Sequence, residues 1–375
     1  MSASDRRYGD ARDQRPGDAR DQRSGAAGGP RPGSARPSMQ DVADRAGVSR
    51  ATVSLVLSAQ PGTRIAEATR ARVRAAADEL GYRRDLLARG LRRSRTDTIG
   101  LISDRITTSP WGWAKIAGAQ DAAWERGRML LIANTAGDAG HEREALDGLL
   151  DRRVDGLVLG AANHRALRVP VLDTNVPVVL LDAFDPEGGR PAVVPDDERG
   201  AWDATALLLA AGHRRIAFIN SADPVPATTL RAQGHRAALD EHGVTFDPDL
   251  MVAVTDGATS EGSQRATEEL LTRQPDVTAL FCFNDRFASG AYRALRRLGR
   301  RVPEDVSVVG FDDQMDLAAG LDPPLTTIAL PHEAMGRWAV NRLLDEIDGV
   351  AAAADPELRR EHCPPVLRDS VAPPP

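Results

Sequence analysis

The chain has 375 residues, 42% of them hydrophobic and 27% charged, a balance that builds a large core in two or three globular domains. No run of 18 apolar residues occurs and no apolar segment near the N-terminus resembles a secretory signal, so neither a membrane-spanning helix nor a membrane partner is expected. The net charge of −6 divides into +3 over residues 1–37, +6 over residues 38–96 and −15 over the remainder, which places a polyanion partner at one end only.

Residues 1–37 repeat Gly9-Asp10-Ala11-Arg12-Asp13-Gln14-Arg15 as Gly17-Asp18-Ala19-Arg20-Asp21-Gln22-Arg23, with Gly, Pro, Ser and Arg filling the rest. So few apolar side chains cannot offset chain entropy, and a disordered tail is expected. Helical signals start at Ser38, which forms a capping box with Asp41 ahead of an apolar stripe of Met39, Val42, Ala43 and Ala46. Gly47 ends this helix. Ser49 caps a second that runs to about Leu57, with Val53, Val56 and Leu57 facing the core. Gln60-Pro61-Gly62 is a turn, and a third helix covers about Ala66 to Leu80, closed by Gly81. Three short helices with a tight glycine turn after the first describe an all-α helix-turn-helix head over 38–82. Residues 83–96 form a basic linker.

From residue 98 strands and helices alternate. Strands are expected at 98–103, 129–133, 155–159, 178–181, 192–194, 215–219, 250–254, 277–283 and 306–310. Helices are expected at 113–126, 140–152, 198–211, 228–242, 260–273, 286–298 and 332–348. The series predicts an α/β core over 97–375, made of two doubly wound parallel-sheet lobes with a ligand site between them. Two cysteines make no disulfide framework. Cys282, in the run Ala279-Leu280-Phe281-Cys282-Phe283, reads as a buried thiol in a reducing cytoplasm.

Three blocks resemble the lactose-repressor/galactose-repressor (LacI/GalR) family. The first is Asp41-Val42-Ala43-Asp44-Arg45-Ala46-Gly47-Val48-Ser49-Arg50-Ala51-Thr52-Val53-Ser54, and the second Leu87-Ala88-Arg89-Gly90-Leu91-Arg92 followed by Thr98-Ile99-Gly100. The third is the series Gly212-His213-Arg214-Arg215-Ile216, Phe283-Asn284-Asp285, Val302-Pro303-Glu304-Asp305-Val306 through Gly310-Phe311-Asp312-Asp313, and Pro324-Leu325-Thr326-Thr327. The likeness spans about 38–372. It implies a core like the periplasmic sugar-binding proteins, a chain that crosses between the lobes more than once, and a homodimer on a near-palindromic double-stranded DNA operator, repressing transcription under the control of a sugar-like small molecule. No cofactor, metal or catalytic residue is implied.

In the head, the resemblance places Arg50, Ala51 and Leu55 at base-reading positions of a helix in the major groove. Arginine can bond guanine bidentately, whereas Ala51 and Leu55 offer only apolar contact, as to a thymine methyl. Leu55 packing inside the head is the alternative. Ser49, Thr52, Ser54 and Ser58 touch phosphate or cap the helix. Leu91, amid Arg89, Arg92, Arg93 and Arg95, matches the family's minor-groove wedge, where the unstacking cost is offset by contacts to bent DNA. A dimer contact is its other reading. The chain departs from the family pattern at Arg84, where proline is usual, at Asp85, where asparagine starts the hinge helix, and at Ala66, where serine caps the third helix.

In the core, Asp182, Arg231, Asn284 and Asp312 match the family's cleft residues, and carboxylate, amide and guanidinium groups suit hydroxyl-bearing ligands. Asp197, on the 195–198 crossing, is a further candidate, and Trp111 or Trp113 can stack on a sugar face or pack the lobes. Asn284 and Asp312 have a capping alternative, Asp285 and Asp313 are read as cap or turn residues, and Asp182 with Arg231 has the alternative of a structural ion pair. A secreted sugar-binding protein would lack the helix-turn-helix. An enzyme finds no G-x-S-x-G or H-E-x-x-H, and Lys115, the only lysine, is in no phosphate loop.

Overall fold

The computed structural model describes residues 37–57, 65–83, 95–109, 112–169, 175–255, 257, 259–350 and 357–375. The expectations for the tail, for Ser58 and the 60–62 turn, for residues 84–94 with Leu91 and Arg92, and for Trp111 lie outside the described residues. The chain divides into two compact units, residues 1–85 and 86–375.

In the first unit, α1 (Met39–Ala46), α2 (Arg50–Leu57) and α3 (Glu67–Glu79) enclose Val42, Ala43, Ala46, Val53, Val56, Val73, Ala76 and Ala77. Local chemistry sets each boundary. The Ser38 amide donates to Asp41 Oδ2 at 2.7 Å while the Asp41 amide donates to Ser38 Oγ, completing the capping box. Gly47, at φ +63°, takes the left-handed turn that stops α1. Ser49 Oγ accepts the Thr52 amide at 3.1 Å and starts α2, whereas Ala66 gives α3 no side-chain cap.

The second unit holds two six-stranded sheets. Lobe 1 comprises β1 (Thr98–Ser103), β2 (Met129–Asn134), β3 (Gly156–Ala166), β4 (Val178–Phe184), β5 (Ala192–Pro195) and β11 (Leu358–Glu361), in the order β11-β5-β4-β3-β1-β2. Lobe 2 comprises β6 (Ile216–Ser221), β7 (Met251–Val254), β8 (Ala279–Cys282), β9 (Ser307–Asp312), β10 (Thr326–Ala329) and β12 (Pro365–Val366), in the order β12-β10-β9-β8-β6-β7. In each sheet the first strand lies between the second and third, the doubly wound order whose ligand crevice opens at the strands' carboxyl ends. Pairing is parallel, with Ile99 opposite Gly156 and Ile216 opposite Ala279, except that β12 runs antiparallel to β10. The all-parallel expectation is corrected there, because a chain returning from the other lobe reaches this edge from the opposite direction.

The helices are α4 (Gly112–Glu125), α5 (Ala139–Asp151), α6 (Asp197–Ala210), α7 (Pro226–Glu241), α8 (Ser260–Arg273), α9 (Asp285–Arg297), the single turn α10 (Leu317–Gly320) and α11 (His332–Ile347). The chain crosses between lobes three times: from β5 into α6, from β10 into α11, and from β11 to β12. After the second crossing α11 lies along α4 of lobe 1, and glycine makes this possible. A Cβ on Gly118 would meet the Glu333 carbonyl oxygen at 2.0 Å, and one on Gly336 would meet that of Lys115 at 2.1 Å. The backbones therefore touch where the cleft begins, and the contact fixes Lys115 beneath the crossing.

Candidate functional site

On α2 the first turn presents Arg50 and Ala51 to solvent, with Thr52, Ser54 and Leu55 half-buried. The hydroxyls of Ser49 and Thr52 share a hydrogen bond at 2.9 Å, so the cap also orients Thr52. Val53 and Val56 fill the core on the opposite side. The expected packing face is thus present in Val53 and Val56, with Leu55 at its margin.

In the second unit the cleft candidates from both lobes meet in one buried polar cluster. Arg231 projects from α7 and is 4% exposed. Its Nε donates to Asp197 Oδ1 at 2.9 Å with the second terminal nitrogen 2.8 Å from the same oxygen, its first terminal nitrogen donates to the Phe283 carbonyl, and Asp312 lies 3.7 Å away. The guanidinium stacks over the ring of Phe311 at 3.6 Å. Asp197 is the first residue of α6, at the first crossing, and His164 from β3 reaches its other oxygen at 2.9 Å. Burial alone would raise the Asp197 carboxyl, but Arg231 and His164 outweigh it and hold the group below its ordinary value.

Asp182 is 1% exposed and does not pair with Arg231, which corrects the alternative considered for those two residues. Its Oδ2 bonds the ammonium of Lys115, which also donates to the carbonyls of Ala161 and Ala162 at 3.1 and 2.9 Å. Asp182 Oδ1 is buried and has no hydrogen-bond partner. Burial raises the Asp182 carboxyl, with the Lys115 charge the largest opposing influence. Asp182 and Asp312 hold left-handed backbone, at φ +56° and +108°. Such conformations are held in place by their surroundings and gather at ligand sites.

Asn284 caps α9, its Oδ1 accepting the Phe287 amide at 2.9 Å, so the capping alternative applies to its oxygen while its amide nitrogen keeps its donors for other partners. Asp312 makes no cap. Burial raises it well above the ordinary carboxylate range against the pull of Arg231. Asp285 does not cap either. It is fully buried, accepts the Thr327 hydroxyl and the Gln314 amide at 2.6 Å each, and is pushed by burial to about 7. Asp313 sits in a turn at φ +50° and pairs with Arg368 at 2.7 Å. Trp113, on the first turn of α4, is 52% exposed. Cys282 is buried with a free thiol.

Sequence reasoning missed Lys115, His164 and His332. His332 opens α11 and is buried beside Lys115 and Arg231. Burial first, then those two cations, keeps its imidazole neutral. A signal existed for Lys115: it shares helical spacing with the buried Ala119 and Ala122, so the only lysine occupies a core-facing stripe.

A basic three-helix unit thus precedes a two-lobed core with a buried polar cluster between its lobes. Residues 38–85 match the family model "Bacterial regulatory proteins, lacI family", and residues 96–364 match "Periplasmic binding proteins and sugar binding domain of LacI family". The chain belongs to the LacI family. It is 37% identical over 330 residues to the HTH-type transcriptional regulator CelR of Thermobifida fusca, a match covering 84% of this chain and 93% of the relative. A solved complex of CelR with cellobiose is 34% identical, with a TM-score of 0.58, covering 89% of this chain and all of that one. The lac repressor dimer bound to operator is 26% identical, with a TM-score of 0.71, covering 90% of this chain and all of that one. As a member of the LacI family, this chain is a DNA-binding transcriptional regulator.

Proposed function

We propose that the chain is a homodimeric cytoplasmic repressor that binds a near-palindromic operator and is switched, without turnover, by a sugar-like effector held between its lobes. Its parts are a tail over 1–37, a head over 38–82, a hinge over 83–96 and an effector and dimerisation core over 97–375. The observation that carries the effector reading is the convergence on Arg231 of Asp197 from a crossing and of Phe283 and Asp312 from strand ends of lobe 2. Cellobiose in the CelR complex supports an oligohydroxyl ligand. The lac repressor dimer on its operator supports the assembly. So do Trp124 on α4 and Met129 and Ile132 on the edge strand β2, which expose large apolar surfaces on lobe 1 suited to a second copy.

A route from cleft to DNA is built into α11. The helix begins at His332 in the cluster and runs 16 residues, about 24 Å, to Ile347, with Asp348 as its C-cap. Asp348 there pairs with Arg95 at 2.8 Å, Arg126 at 2.8 Å and Arg128 at 3.0 Å, while Asp155 accepts the amides of Thr96 and Asp97. The segment following the hinge is thus fastened to the far end of a helix whose near end senses the cleft. An effector shifts operator affinity by its differential affinity for the two lobe arrangements. The test is selection from random duplexes followed by salt titration. With ~6–10 phosphate contacts, affinity for the selected palindrome should fall ~10³–10⁵-fold between 50 and 200 mM salt. Salt-insensitive binding, or no sequence preference, refutes the reading.

A further inference from the structure

We propose that Lys115 determines what the cleft accepts: it clamps one oxygen of Asp182 and leaves the other as a bare acceptor for a hydroxyl of an uncharged, polyhydroxylated effector. The inference rests on the reading of the cleft as the effector site. An ammonium has three donors and no acceptor. All three of Lys115's are spent, on Ala161, Ala162 and Asp182, and its side chain is fully buried. It can receive an anion only by giving up a partner. The other buried cation of the cluster, Arg231, is already paired with Asp197 and bonded to the Phe283 carbonyl, with Asp312 3.7 Å away. Buried Asp182 Oδ1 has spare capacity as an acceptor, and an acceptor calls for a donor. A sugar hydroxyl supplies one. A phosphate or carboxylate supplies only further acceptors and would face Asp182, Asp197 and Asp312 together.

Lys115 acts through Asp182 and is therefore a positioning residue. The charged and titratable groups facing Asp182 are Lys115 from α4, His164 from β3 and Asp197 from the crossing. Burial and Asp197 favour the protonated acid. Lys115 is the largest influence favouring the carboxylate. Without that ammonium, burial and Asp197 raise the Asp182 carboxyl further and favour its protonated form, so affinity for a hydroxyl donor should fall and recover as pH rises.

The test uses the full chain carrying ¹³C-labelled lysine, which gives a single side-chain signal because the sequence has one lysine. Cellobiose, ribose and ribose 5-phosphate are the probes, with operator affinity measured alongside. A neutral sugar that alters operator affinity should move the Lys115 signal, and ribose 5-phosphate should bind more weakly than ribose. Lys115→Met should lose about tenfold or more in affinity for the neutral sugar near pH 7, with the loss shrinking towards pH 8.5 relative to wild type. The double variant Lys115→Met/Asp182→Asn should lose that added pH dependence. A sugar that acts on operator binding without moving the signal, tighter binding of the phosphate, or a pH-independent loss in Lys115→Met overturns the proposal. If no probe alters operator binding, the effector reading fails for these sugars, and the clamp is decided by stability alone. Lys115→Met should then be destabilised more at pH 8 than at pH 5.5, and equal destabilisation at both overturns it.

Discussion

Replacing Arg231 by alanine removes one guanidinium with several roles. The ion pair and hydrogen bond to Asp197 disappear, with one bond to the Phe283 carbonyl, the stacking on Phe311 and the approach to Asp312. Asp197 and Asp312 stay buried without their cation. Breaking a buried pair by deleting one partner costs ~3–5 kcal/mol. For a domain of this size ~1 kcal/mol moves the melting temperature by ~2 °C, so the core's transition should fall by ~6–10 °C. The pH dependence follows from Asp197, whose carboxyl Arg231 holds below its ordinary value. A depressed carboxylate contributes stability above its unfolded value, near 4, and that contribution is lost as pH falls through the folded value. In Arg231→Ala burial acts on the Asp197 carboxyl without that cation and raises it, so the penalty should be large at pH 7.5 and shrink as pH falls towards 4.5 and the orphaned carboxyl takes up a proton more readily. Calorimetry of wild type and variant at both pH values measures this, with operator binding followed below the transition. The variant should still bind operator while folded and lose its response to effector. A shift under ~2 °C, or one independent of pH, would refute the argument that Arg231 holds the Asp197 carboxyl below its ordinary value.

Leu91→Ala should weaken specific operator binding and reduce the DNA bend while leaving the head folded, and an unchanged bend angle would remove the wedge role implied for that residue. Trp124→Glu places a charge on the exposed apolar surface of lobe 1 and should shift sedimentation from dimer towards monomer; an unchanged dimer would move the interface elsewhere. Ser38→Ala removes the capping-box hydroxyl and should cost the head ~1 kcal/mol in thermal unfolding, with the core transition unmoved.

The head was legible because its signals are local. Ser38 with Asp41, Gly47 and Ser49 each act within a few residues of themselves, and their chemistry fixes where helices start and stop. The strand–helix alternation was legible for the same reason, since Val178–Leu181 or Leu280–Cys282 can be satisfied only inside a sheet. The C-terminal strands were not. Leu358–Glu361 is a mostly charged edge strand and Pro365–Val366 spans two residues, so their existence depends on the distant edges of β5 and β10. In the core, the place of Asp182 and Asp312 towards the ends of their strands followed from the sequence pattern, but partner choice did not. Asp182 meets Lys115 because a glycine contact between α4 and α11 sets that helix in place, and Arg231 meets Asp197 because the first crossing delivers it. Strand β3, expected at 155–159, continues to Ala166 past a register shift and so carries His164 to Asp197.

The central claim is that a ligand in the cleft controls the grip on DNA. It is tested most directly by titrating wild-type protein into a fluorescent duplex of its selected operator, with and without saturating neutral sugars. The account predicts that at least one sugar shifts operator affinity by ~5–150-fold, a coupling of ~1–3 kcal/mol, and that the shift vanishes in Arg231→Ala below its melting transition. A shift of full size in Arg231→Ala, or operator affinity unmoved by a sugar shown to bind the core, would contradict it.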